Sequence, residues 1–304
     1  MICDKPYVQG IRAYPCGQCM PCRINRRRLW SNRILLESCK HRASSFLTLT
    51  YAPAFLPEDG SLKPVHLQLF LKRLRKALSP RKIRFFAVGE YGDETFRPHY
   101  HLALFGLGPD ESSVVSNAWS VDGQSMGHIM LGDLSRASSA YIAQYCTKKM
   151  TSPDDPRLKG RHPEFTRMSL RPGIGALAVD DIAKALGGLD GVRMLAATGD
   201  VPRTLKIGDK DIPLGRYLRM KLRKALDIYK VNPSTGEVSY GSPEHVLQTF
   251  ENEMRVLLEA EVGLPSHASP WSRERIQSVL VSKGDGKSQA KVARDKFYKT
   301  RRPL

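Results

Sequence analysis

Long apolar runs are missing from this chain. No stretch approaches the roughly 20 residues that a bilayer-spanning helix needs, and the opening MICDKPYVQG lacks the apolar core of a secretory signal. A cytosolic protein without a membrane partner is therefore expected. Acidic residues are scarce as well: 30 Asp and Glu stand against 48 Lys and Arg, leaving a formal net charge of +18. That imbalance favours a polyanionic partner. The surplus is clustered in RINRRRLWSNR, KRLRKAL, GRYLRMKLRK and the terminal KVARDKFYKTRR, and such clusters neutralise phosphates. A complete phosphate-binding P-loop is also absent. GDGKS (Gly284–Ser288) ends like one, but Val281 stands where G-x-x-x-x-G-K-[ST] needs its first glycine. Neither an ATPase domain nor a nucleotide cofactor is expected.

Cysteine is sparse, at six in 304 residues, and a cytosolic setting argues against a disulfide framework. Three of the six are regularly spaced, Cys16, Cys19 and Cys22 in PCGQCMPCR. Cys3 is the nearest fourth ligand and Cys39 the reserve. Thiolates at such short spacings suit a structural zinc site; a redox-active or merely buried set of thiols is the alternative.

At this length the chain can bury a substantial core. Residues 1–42 read as a cysteine-bearing lead-in followed by a basic helix over about 23–41. Trp30, Ile34 and Leu35 face the core there, and Arg23, Arg26, Arg27 and Arg33 are left for phosphate. SSFLTLTY (Ser44–Tyr51) alternates like a strand. Pro64 opens a helix with Val65, Leu67, Phe70, Leu71, Leu74 and Leu78 on its apolar side, and Ser79-Pro80 stops it. Strands at 82–90 and 99–106, a short helix at 110–119, a strand in GHIMLGDL and a helix capped by Ser135 complete a β-α-β-β-α-β-α order. The expected fold is α+β, an antiparallel sheet with helices on one side. The segment TSPDDPRLKGRHPEF reads as a connector. Beyond it lie a hairpin at 204–214 turning at Gly208-Asp209, helices near 215–230, 243–262 and 270–282, and a basic, apolar-poor end. The expected division is 1–42, 43–150 and 151–304.

The chemistry concentrates in RPHYHLALFG (Arg97–Gly106). His99 and His101 stand two apart, so both imidazoles leave one face of a strand. Glu90 ends the preceding strand, and a hairpin across residues 91–98 sets it opposite His99 on that same face. Two imidazoles and a carboxylate make a divalent-metal site, although most His-x-His pairs are ordinary hydrogen-bonded histidines. Forty residues on, AYIAQYCTKK holds Tyr141 and Tyr145 four apart, with Lys148 three beyond. On a helix both phenols share a face with Lys148 alongside, where the lysine can stabilise a phenolate or a developing phosphorane. Core packing is the plainer account of such tyrosines. A metal, paired tyrosines and strong basicity together point to a tyrosine that attacks a DNA phosphodiester. Arg97 joins Arg23, Arg26 and Arg27 as a candidate DNA contact.

These residues carry a resemblance. RPHYHLALFG resembles the metal motif of HUH endonucleases, with Glu90 placed like the third ligand of viral and plasmid initiators, and YIAQYCTKK resembles the two-tyrosine motif of phiX-type phage initiators. SSFLTLTY is similar to the first strand motif of that superfamily. PCGQCMPCRINRRRLW and RMSLRPGIGA (Arg167–Ala176) narrow the resemblance to the replication initiation proteins of gokushovirus-type microviruses, over about Cys3 to Leu222. It implies a rolling-circle initiator, an HUH-type core and a nick in the plus strand at the phage origin. One tyrosine would hold the 5′ phosphate while the 3′ hydroxyl primes synthesis, and the second would cut the regenerated origin before the strand is closed. The implied cofactor is Mg or Mn. The implied partners are single-stranded origin DNA and the host polymerase and helicase, in the cytoplasm of a bacterial host. Gln144 departs from the family, where such helices often carry lysine, so Tyr145 with Lys148 is expected to act first and Tyr141 second. The competing readings are an HUH relaxase or transposase, and a non-catalytic zinc-containing nucleic-acid-binding regulator.

Overall fold

The computed structural model describes residues 3–9, 12–145, 152–188, 191, 195, 200–207, 210–226, 230–231 and 238–239. The chain divides into two compact units, Met1–Arg26 with Leu226–Leu304, and Arg27–Ala225. In the first unit β1 (Tyr7–Gln9) and β2 (Arg12–Tyr14) form an antiparallel hairpin between Cys3 and the later cysteines. The basic helix α1 (Met20–Ser38) starts about one turn earlier than its charge pattern suggests.

The second unit is built on a five-stranded sheet. Its strands are β3 (Ser44–Leu49), β4 (Arg84–Tyr91) and β5 (Pro98–Phe105), all expected from alternation. Helices α2 (Pro64–Ala77) and α3 (Ser112–Ala118) precede and follow the β4–β5 hairpin. A small hairpin of β6 (Ser120–Val121) and β7 (Gln124–Ser125) leads to β8 (Ile129–Asp133) and α4 (Arg136–Tyr145). The fifth strand is β9 (Phe165–Met168). The order is β8-β3-β5-β4-β9 with every neighbour antiparallel. β9 was not expected: its four residues lie at the end of the polar connector, too short to show an alternation, and pair with β4 only through the fold.

Helices cover both faces of this sheet, not one. Leu47, Leu49, Ala87, Leu102 and Leu104 pack with Leu67, Phe70, Leu71 and Leu74 of α2 and Val115 and Ala118 of α3. The alternate residues Phe86, Val88, Ala103 and Phe105 pack with Ile34 of α1 and Ile142 and Tyr145 of α4. The central strands are apolar on both sides, as FFAV and LALF already read, and a strand buried on both faces loses its alternation. Within α2 the i, i+3, i+4, i+7 residues 67, 70, 71 and 74 are buried, whereas Val65 is 51% exposed and outside the core.

Two basic clusters are engaged inside the fold. Arg33 is buried, donates from Nε to the Ile174 carbonyl at 2.9 Å and stacks on Trp30 and Tyr217. It is therefore not left for phosphate. The RPGIG segment forms the other side of this clamp. Gly175 sits at φ +82 with its absent Cβ 3.0 Å from the Arg33 carbonyl, and the Gly173 N–H donates to the Tyr217 hydroxyl at 2.8 Å. After α5 (Val179–Leu186), strands β10 (Thr204–Ile207) and β11 (Lys210–Pro213) pair as the expected hairpin, whose turn lies outside the described residues. In α6 (Gly215–Ala225) both Arg219 and Arg223 donate to the Asp200 carboxylate, so the GRYLRMKLRK charges are partly neutralised internally. Strands β12 (Lys230–Val231) and β13 (Val238–Ser239) end the description. The expected helices at 243–262 and 270–282, the GDGKS segment and the basic end lie outside the described residues. No helix among those described is long and apolar enough to cross a membrane.

Candidate active site

The α1–α4 face of the sheet carries the polar residues. β4 and β5 pair so that Glu90 stands directly opposite His99, the register that the hairpin spacing predicts. His101 follows on the same face, its ring 6.4 Å from that of His99 and nearly parallel to it. His101 Nε2 lies 2.8 Å from Glu90 Oε1. The opposite ring nitrogen, Nδ1, lies 3.0 Å from the hydroxyl of Thr48, its cross-strand partner on β3. A threonine hydroxyl can donate or accept. It therefore serves His101 both when Nε2–H donates to Glu90 and when Nε2 offers a lone pair and Nδ1–H turns to Thr48.

Burial, and then the neighbouring His101, push the pKa of His99 down, which keeps its imidazole neutral and able to ligate near neutral pH. The buried Nδ1 of His99 makes no hydrogen bond of normal geometry. Gly92 passes close over this ring, and a Cβ there would sit 3.0 Å from Cε1 and 3.6 Å from Nδ1. Two neutral-capable imidazoles, a carboxylate and a buried ring nitrogen outside the protein's own hydrogen bonding form a donor set that fits a divalent cation. These three residues are gathered more loosely than the four thiols described below, whose ligand atoms all lie within 4.8 Å of one another.

α4 brings the tyrosines onto this cluster. Ser135 caps the helix, its Oγ accepting the Ser138 N–H at 3.1 Å. Ser139, Ile142 and Ala143 are buried beneath it. The Tyr145 ring stacks on His101 at 5.0 Å with an interplanar angle of 2°, and the Tyr141 ring meets His101 edge-on at 5.4 Å. The two phenol rings are 5.1 Å apart, one helical turn. Phe46 closes the other side of His101 at 5.9 Å. Their exposure differs sharply: Tyr141 is 41% exposed and Tyr145 only 7%. Burial, with the Tyr141 hydroxyl and the Glu90 charge, raises the Tyr145 pKa and opposes its ionisation. Lys148 lies outside the described residues.

Thr48 and Phe46 were missed by sequence reading, because neither carries a motif of its own. The usable signal is the period-2 alternation of SSFLTLTY, which puts both on one face, but choosing that face requires the β3–β5 register. Of the candidate DNA contacts, Arg97 donates to the Tyr51 carbonyl at 2.8 Å and Arg27 to the Ala140 carbonyl at 3.2 Å. Arg27 and Arg26 are exposed, Arg23 is half-buried, and Arg26 donates to the Gly17 carbonyl at 3.1 Å.

In the first unit the thiols of Cys3, Cys16, Cys19 and Cys22 converge, with Cys3 the fourth member as expected. Cys39 is exposed and apart from them. The sulfurs of Cys19 and Cys3 are 3.7 Å apart, close to the roughly 3.8 Å separation in a tetrahedral site with ~2.3 Å metal–sulfur bonds. Backbone N–H groups point at the sulfurs: Cys16 to Cys3 at 3.2 Å, Cys19 to Cys16 at 3.3 Å and Asp4 to Cys19 at 3.4 Å. Burial resists ionisation of Cys16, but the N–H groups of Cys19 and Gln18 and the neighbouring thiols outweigh it and bring its pKa down to about 6. Burial raises those of Cys3 and Cys22. The set can hold a metal such as zinc.

Residues 44–150 match a family of replication-associated proteins of the ORF2 type. Replication-associated protein VP4 of Bdellovibrio phage phiMH2K is 33% identical over 160 residues, covering 47% of this chain and 50% of that protein. Replication-associated protein ORF2 of Spiroplasma virus 4 is 32% identical over 195 residues, covering 57% and 58%. Replication-associated protein ORF4 of Chlamydia phage 1 is 37% identical over 98 residues, covering 31% and 24%. The chain thus spans about half the length of the first two relatives. No solved structure matches. The matched segment contains β3, the Glu90–His101 hairpin and the tyrosine helix, and the chain belongs with the replication-associated proteins of gokushovirus-type microviruses.

Proposed function

We propose that this protein initiates rolling-circle replication by nicking and rejoining single-stranded phage DNA at the origin through a 5′-phosphotyrosine link. The observation that carries this reading is the packing of Tyr141 and Tyr145 onto His101, beside Glu90 and His99, on one sheet face. Glu90, His99 and His101 would hold Mg or Mn, which when bound polarises the scissile phosphate. Tyrosine Oη bonds to phosphorus as the P–O3′ bond breaks, and the phenol proton ends on the released 3′ hydroxyl. No bond energy is lost to water, so closure is the same step reversed and needs no nucleotide. The second tyrosine, one turn away, repeats the attack on the regenerated origin.

Exposure favours Tyr141 for the first attack, since it meets a phosphate arriving from solvent while burial opposes ionisation of Tyr145. This reverses the order expected from Lys148, whose proposed part is to stabilise charge on the transferring phosphate. Thr48 is proposed to hold His101 in the ligating tautomer. Arg23, Arg26, Arg27 and Arg97 are proposed to contact DNA, and the four thiols to hold a structural zinc. Host polymerase and helicase would act on the exposed 3′ end, in the cytoplasm of a bacterial host.

Supercoiled DNA bearing the phage origin, incubated with Mn or Mg, tests the reading. Wild-type protein should relax it and His101→Ala should not, while binding persists. Full cleavage by His101→Ala, or by wild type in excess chelator, rules out the metal site. Intact DNA with the wild-type protein at every metal tried leaves the non-catalytic regulator. Mass spectrometry of the DNA-linked peptide assigns the nucleophile, and an adduct on neither tyrosine ends the mechanism. Elemental analysis should find one zinc per chain, released by Cys19→Ser; folded, reduced, zinc-free protein defeats that assignment.

A further inference from the structure

A second basic feature lies away from the tyrosines. A cleft of about 710 Å³ opens at the start of β4, lined by Arg75, Arg81, Lys82, Arg84, Leu170 and Arg171 among others. Arg84 begins the strand on which Glu90 is the seventh residue, so the two ends stand roughly 20 Å apart at ~3.3 Å per residue. The cleft is a separate place from the metal and tyrosine cluster.

Its charge is not balanced from within. Arg84 donates to Glu37 at 2.5 Å, and Arg81 pairs with Glu111. Among the described residues no carboxylate forms a salt bridge with Arg75, Lys82 or Arg171, and all three are exposed. Converging like charges repel one another, and an arriving anion relieves that repulsion. The wall that carries Arg171 is also rigid. Arg84 donates to the carbonyls of Arg171 and Pro172 at 3.3 and 2.6 Å, and the next residue, Gly173, is held by the Tyr217 hydroxyl. A pre-formed wall loses little entropy on binding. Beside these cations Leu170 is 74% exposed, an apolar ledge at the mouth of a charged cleft. Phosphate-seeking cations beside an apolar surface for base or sugar are the pairing that single strands exploit.

We propose that this cleft binds the phosphodiester backbone of single-stranded DNA flanking the cleavage site, through Arg75, Lys82 and Arg171. The inference rests on the proposed function only for the choice of DNA as the polyanion. Binding is therefore read on uncut DNA with metal withheld, so loss of cleavage and loss of cleft binding are distinguishable. The test compares a strand that spans only the tyrosine site with one longer by about 20 Å on either side. In the triple variant Arg75→Gln, Lys82→Gln, Arg171→Gln, affinity for the long strand should fall at least about tenfold. The slope of log affinity against log salt should drop by roughly 2 units, at ~0.7 per phosphate contact on a single strand. Affinity for the short strand should stay within about twofold. A control triple of exposed lysines elsewhere in the same unit, Lys184→Gln, Lys210→Gln, Lys224→Gln, should leave both strands near wild type. Equal losses in the two triples, or equal loss on the short and long strands, overturn the proposal. So does displacement of the long strand's extra affinity by millimolar ATP, which would make the cleft a nucleotide site.

Discussion

The two faces of the five-stranded sheet are made by the same strands and do opposite work. Under α2 the face is leucine and aromatic, and its buried polar atoms satisfy one another. The Tyr51 and Tyr100 hydroxyls lie 2.8 Å apart, Tyr51 also reaches His66 Nδ1 at 2.8 Å, and Tyr100 accepts from the Lys63 N–H and donates to its carbonyl. Under α4 the alternate residues of the same strands are Thr48, Glu90, His99 and His101, and the His99 Nδ1 is left outside normal hydrogen bonding. A closed polar network stabilises a core. A network with an acceptor to spare is arranged for something that arrives later.

The sharpest way to break this contrast is to strip each face of its distinctive groups. Replacing both Tyr141 and Tyr145 with Phe should abolish the covalent adduct and lower cleavage by on the order of 10⁴-fold or more. Folding stability, read by urea titration, should change by no more than about 1–2 kcal/mol. Leu102→Ala on the other face should do the reverse. Leu102 is fully buried under α2, so about 2–5 kcal/mol of stability should be lost, with cleavage per folded molecule unchanged. If Leu102→Ala destroyed cleavage in protein shown to be folded, the faces would not be independent.

Smaller changes sharpen the comparison. Thr48→Val keeps shape and removes the His101 partner, so Mn affinity, followed by electron paramagnetic resonance of the free ion, should weaken about 10–100-fold. Thr48→Ser should restore most of it; equal weakening in both variants would mean packing and not the hydroxyl. Tyr100→Phe opens the closed network and should cost about 1–2 kcal/mol without touching metal affinity. The smallest effect is one of pH. Burial, then Lys63 and Arg73, lower the pKa of His66 in the folded state. Below the unfolded value of about 6.5 the unfolded chain binds the extra proton first. The His66 contribution is therefore complete above that pH, and stability falls as pH drops through it toward the folded pKa. His66→Gln should flatten that part of the curve of urea midpoint against pH.

How much of this was legible follows from sequence distance. Glu90 and His99 are nine residues apart, and their hairpin register could be counted along the chain. The Ser135 cap, the one-turn spacing of Tyr141 and Tyr145, and Cys3 as partner to PCGQC are equally local. Thr48 meets His101 across 53 residues, Arg33 meets Ile174 across 141, and β9 joins β4 with no pattern of its own. None of these pairings has a local signature.

By itself the sequence determined the alternation of β3 and β5, the amphipathic stripe of α2, the ligand-type residues and the basic surplus, because each depends only on period and residue chemistry. Tertiary structure alone decided that helices cover both sheet faces, that Arg33, Arg219 and Arg223 are held inside, and that Tyr145 is buried while Tyr141 is exposed. Those outcomes depend on which distant surface excludes water from a residue, and exclusion from water is what decides whether a charge or a phenol stabilises the fold or stays available to a ligand.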